Sequence, residues 1–73
     1  MDEGIVFIEE NIIVVAEAIR KAREEKLDRY ENLISIEKMD KDRYKLIESS
    51  KGKGLRITLF DSNGKIEKEL KYK

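Results

Sequence analysis

The second half of this chain is its strongest constraint. Four segments of alternating polarity follow one another, separated by connections too short to hold a crossover. Asn32–Met39 (NLISIEKM) places Ile34 and Ile36 on one face, and Asp42–Ser49 (DRYKLIES) places Tyr44 and Leu46 together. Leu55–Asp61 (LRITLFD) aligns Leu55, Ile57 and Leu59. Lys65–Tyr72 (KIEKELKY) aligns Ile66, Leu70 and Tyr72, with Lys68 among them. A period of two is the signature of a strand. The connections are Asp40-Lys41, Lys51–Lys53 and Ser62-Asn63-Gly64. Asn-Gly is a strong hairpin signal, because a type I′ turn needs positive φ at both central residues. Connections this short force antiparallel neighbours. The spacing therefore predicts a meander over about 32–39, 42–49, 54–61 and 65–72. The last segment is the weakest of the four, since KIEKEL also fits a helix.

The first half has a different period. Ile5, Ile8, Ile12, Val15, Ile19 and Ala22 recur at alternating steps of three and four, the stripe of a helix over about residues 3–30. Asp2 is its candidate N-cap. Oppositely charged pairs four apart, such as Glu17–Lys21 and Glu25–Arg29, support its second half. The rival reading makes Gly4–Ile8 (GIVFI) a strand and starts a shorter helix at an Asn11 cap. The fold class expected is α+β: one long N-terminal helix packed on a three- or four-stranded antiparallel β-meander, a single domain spanning 1–73. Ile34, Tyr44, Leu46, Leu55 and Ile57 are the expected inward residues.

Seventy-three residues give a thin core, and small domains commonly compensate with disulfides, a metal or oligomerisation. The chain has no Cys and no His, which removes disulfides and the usual zinc sites and leaves oligomerisation. No cofactor or metal is expected. Catalysis is not expected either, since no side chain titrates near neutrality by default and no Ser has a base beside it. The acidic start (Asp2, Glu3) is unlike a secretory leader, and the longest uncharged run, Asn11–Ala16, is far too short to span a bilayer. These point to a cytoplasmic protein with no membrane partner. Charged residues make up 44% of the chain, dominated by Lys and Glu and without Gln or Pro, the composition of hyperthermophile proteins. Residues 1–19 hold five acids and no base; the remaining 54 residues hold eleven acids and sixteen bases. Acids early on a helix complement its dipole.

Two surfaces carry candidate functions. Ser49–Gly54 (SSKGKG) lacks the spacing of a phosphate-binding loop, and a strand pattern, not a helix, follows it. It reads as a hairpin loop whose Lys51 and Lys53 are free to touch a polyanion. If the alternate strand residues face outward, Arg43, Lys45, Arg56 and Phe60 join those lysines in a basic face with one aromatic, the makings of a nucleic-acid contact. Glu37, Glu67 and Glu69 on the same face would oppose it, and Ile47 beside Phe60 could instead meet a protein partner. The helix gives the stronger signal. Val6 and Ile13 fall to one side of its core stripe, and Phe7, Val14 and Ala18 fall nearly opposite. A helix apolar on several sides needs cover on several sides, which one small sheet does not provide. The expectation is a small non-enzymatic interaction or regulatory module. It would self-associate through Val6, Phe7, Ile13, Val14 and Ala18 as a dimer or higher oligomer. A nucleic-acid-binding protein is the alternative.

Overall fold

The computed structural model describes residues 9–73. One helix, α1 (Glu10–Glu25), precedes four strands: β1 (Asn32–Asp40), β2 (Arg43–Ser50), β3 (Gly54–Phe60) and β4 (Ile66–Tyr72). The strands form one antiparallel sheet in the order β1-β2-β3-β4. The architecture is α+β, and the strand bounds fall within about a residue of those read from the alternation. The last segment, which also fits a helix by sequence, is strand from Ile66 to Tyr72.

α1 is shorter than its apolar stripe suggests. The N-cap is Glu9, in extended conformation, with no side-chain capping bond. The Asp2 cap and the Gly4–Ile8 strand alternative lie outside the described residues. The other end stops at Glu25 instead of about residue 30 because Leu27 adopts φ 62°. Leu27 N–H donates to the Glu24 carbonyl at 3.0 Å and Asp28 N–H to the Arg23 carbonyl at 2.8 Å. This is the Schellman arrangement, with leucine where glycine usually stands. The chain then turns so that Asp28 and Tyr30 return over the sheet.

Turn length fixes which side of each strand faces the helix. Lys51–Lys53 is a three-residue loop, closed by Lys53 N–H donating to the Ser50 carbonyl at 3.0 Å. It sets Ser50 opposite Gly54, Glu48 opposite Arg56, Leu46 opposite Thr58 and Tyr44 opposite Phe60. A Cβ on Gly54, which sits at φ 92°, would collide with the Tyr72 carbonyl oxygen of β4. Tyr44 and Leu46 are buried under the helix as expected, and so by register are Arg56, Thr58 and Phe60. The expected inward positions Leu55 and Ile57 are therefore on the other face, and Arg56 and Phe60 are inside rather than outside. Ile34 is also not in the core. It is 53% exposed beside an irregularity between Leu33 and Ser35. A second irregularity, at Leu59/Phe60, pairs Ile66 with Phe60, so Ile66 does not share a face with Leu70 and Tyr72.

The space between helix and sheet has two halves. The apolar half packs Ile12, Ala16 and Ile19 of α1 on Tyr44, Leu46 and Phe60, with Val15 and Ile36 at its margin. The Tyr44 and Phe60 rings lie 5.8 Å apart. Toward the helix C-terminus this core gives way to charge.

Candidate functional site and its interaction surfaces

Glu48 is 1% exposed and accepts from three guanidiniums. Arg20 Nε donates to its Oε2 at 2.9 Å, while Arg56 Nε and Arg23 Nη1 donate to its Oε1 at 3.0 and 3.4 Å. Arg23 Nη1 also donates to Thr58 Oγ1 at 2.8 Å, and its Nη2 to Glu69 at 3.4 Å. Arg56, fully buried, pairs with Asp28 at 3.0 Å and lies against the Tyr30 ring, its guanidinium carbon 4.1 Å from the centroid. Its Nη2 has no hydrogen-bond partner among the described residues. Arg20 Nη2 donates to the Tyr30 and Glu31 carbonyls at 2.9 and 3.1 Å, tying the helix to the segment that follows it. Burial first, then the neighbouring Arg56, draws the Arg23 pKa below its usual value, against the pull of Glu69, Glu48 and Asp28. Such a network is costly to break, because losing one partner strands a buried charge. It locks helix to sheet, and its charges satisfy one another.

The outer surfaces are a separate matter. On α1, Ile13 is 38% and Val14 58% exposed, and Ala18 is exposed. Val14 lies nearly opposite the buried stripe of Ile12, Ala16 and Ile19, and Ile13 to one side of it; Val6 and Phe7 lie outside the described residues. Ala18, Val15, Ile19 and Ala22 also form, with Ile66, the apolar wall of a groove of about 490 Å³ between α1 and β4.

The expected basic face is not assembled. Arg56 and Phe60 are 0% and 1% exposed under the helix, because the register that buries Leu46 buries them too. Arg43 is engaged by Glu67 at 3.1 Å and Asp40 at 3.5 Å, and Lys45 by Glu37 at 3.7 Å. Lys53 donates to the Arg29 carbonyl at 2.9 Å and sits 5.1 Å from the Tyr30 ring centroid. Lys51 is exposed on the loop, apart from Arg43 and Lys45.

The outer sheet face is instead apolar at its centre, on β3 and its neighbours. Three cross-strand rows run across it: Asn32–Ser49–Leu55–Tyr72, Ser35–Ile47–Ile57–Leu70 and Glu37–Lys45–Leu59–Lys68. β3 thus shows three aliphatic residues to the outside and a charged one to the interior, the reverse of a strand with one solvated face. Sequence reading missed Arg20, Arg23, Tyr30 and Glu48 as interior groups. The signal for them was the pairing of Glu48 with Arg56, which follows from the turn length. Among the described residues, no helix is long and apolar enough to cross a membrane. No family model matches the chain, and no curated protein or solved structure was found similar to it.

Proposed function

We propose that this protein is a small non-enzymatic interaction module that works as a homo-oligomer. The observation that supports it is the solvent side of α1, where Ile13 and Val14 stand 38% and 58% exposed, beside Ala18. Apolar side chains exposed on a helix surface are what an isologous contact buries. In the sequence, Val6 and Phe7 precede Ile13 and Val14 by seven residues each, the spacing of one helix face. The nucleic-acid reading draws less support. It relied on Arg56 and Phe60 as outward groups, and it keeps only Lys51 as a cation outside an ion pair or hydrogen bond among its named residues.

The test is the mass in solution over a range of concentrations. The wild-type protein is expected to exceed the monomer mass, and Val14→Glu to lower it, since a carboxylate at that exposed position leaves the core untouched. A Val14→Glu protein of unchanged mass would remove the helix from the interface.

A further inference from the structure

We infer that the outer face of the sheet is a second self-association surface, on which two copies pack sheet against sheet. It uses residues that the helix contact does not touch. The centre of the face is the row Ile47–Ile57–Leu70, flanked by Leu55 and Tyr72 on one side and Leu59 on the other. Leu55 is 38% and Tyr72 50% exposed. No element of the described chain lies over them: the core cluster that α1 joins is all on the opposite face.

The size of the face points to a second copy. Four strands at about 4.8 Å spacing, over a seven-residue length of about 23 Å, give a flat footprint of roughly 440 Å². Side-chain relief raises the accessible area toward the roughly 600–800 Å² that a stable dimer takes from each partner. The face is therefore near the lower limit for a stable pair, so its dimer dissociates on dilution.

The charges point the same way. They sit toward one end of the face, where Lys45 pairs with Glu37 at 3.7 Å, Lys68 stands two strands away, and Arg43 beyond them pairs with Glu67 at 3.1 Å and Asp40 at 3.5 Å. A two-fold axis lying in the interface, across the strands at Ile57, lays the apolar row on its own copy. It brings Tyr72 of one protomer over the Lys68 stem of the other, Leu55 over Leu59 and Ser49 over Lys45. Lys68 then meets an aromatic ring, and Lys45 a serine, instead of another lysine. A polyanion or an anionic membrane would need an excess of cations across the face, and the two upper rows have no charge at all.

The experiment uses the full chain carrying Val14→Glu, so that association through the helix does not contribute. The chain has no cysteine, so one introduced thiol reports alone. Ile57→Cys, treated with oxidised glutathione, is expected to form a disulfide-linked dimer several-fold faster than Lys41→Cys, whose thiol lies on an exposed turn. Adding Ile57→Lys to the Val14→Glu protein is expected to lower its mass from dimer to monomer, with the circular dichroism of the fold retained. Ile57→Cys cross-linking no faster than Lys41→Cys would overturn the sheet interface, as would a Val14→Glu protein that is already monomeric at high concentration. Either result would leave the face to some other partner. The helix contact is judged separately, by whether Val14→Glu lowers the wild-type mass.

Discussion

Glu48 ties α1 to the sheet through one buried carboxylate. Its carboxylate satisfies Arg20, Arg23 and Arg56 at once, in a site 1% exposed. Glu48→Gln keeps the shape and removes the charge, stranding buried guanidiniums. It should cost about 3–5 kcal/mol, much of the total stability of a domain this small. Glu67→Gln removes one exposed partner of Arg43 and should cost under about 1 kcal/mol. Urea denaturation of both variants checks the contrast, and equal midpoints would contradict it. A second prediction concerns Glu31. Ser50 Oγ donates to its Oε1 at 2.6 Å, and this bond is the main reason its pKa lies below the ordinary value of 4.5. A lowered folded-state pKa means a contribution present above the ordinary value and lost as pH falls through the lower one. An NMR titration should find the Glu31 pKa raised toward the ordinary value in Ser50→Ala. A Ser50→Ala variant that titrates like wild type would show that the bond does not hold it down. Because Glu31 is exposed, its effect on stability is small.

At the scale of elements, Leu27 is the clearest misfit. It ends α1 at φ 62° with its side chain 92% exposed. A β-carbon in this left-handed region costs roughly 1–2 kcal/mol, and glycine avoids it. Leu27→Gly should therefore raise stability by about 1 kcal/mol, read as a higher denaturant midpoint; a lower midpoint would mean that Leu27 makes a contact worth more than its strain. This stop was not legible in the sequence, where no Gly or Pro marks residue 26 or 27 and the charged pairs continue to Arg29. The strands were legible, because alternation and turn residues are local signals. Their facing was legible only in part. Tyr44 and Leu46 were placed correctly by their own pattern, but Leu55 and Ile57 were placed by hydrophobicity against the register. A three-residue loop that pairs residue 50 with 54 pairs even positions of β2 with even positions of β3. With Leu46 inside, Arg56, Thr58 and Phe60 had to be inside too. Turn length outranked hydropathy here, and the ion network with Glu48 is what makes a buried arginine tolerable. The expected basic face lost Arg56 and Phe60 on this same point, since it placed both outside.

At the scale of the whole molecule, charge and apolar surface have partly exchanged places. One layer of helix covers one face of one sheet. Part of the space between them is ionic, while Ile13 and Val14 on the helix and Leu55 and Tyr72 on the sheet are exposed, with Ile57 half-buried among them. A chain of this size has little core to spare, and apolar surface left outside is stability that a second copy would recover on the proposed association, at about 25 cal/mol for each Å² covered. The exposed helix residues were legible from the stripe, because Val14 and Ala18 lie nearly opposite it. The sheet surface was not, because it depends on the register. Sedimentation equilibrium of the wild-type protein tests self-association most directly. A mass of at least twice the 8.6 kDa monomer at high concentration, falling on dilution, is the predicted result. A mass of 8.6 kDa at every concentration would contradict it.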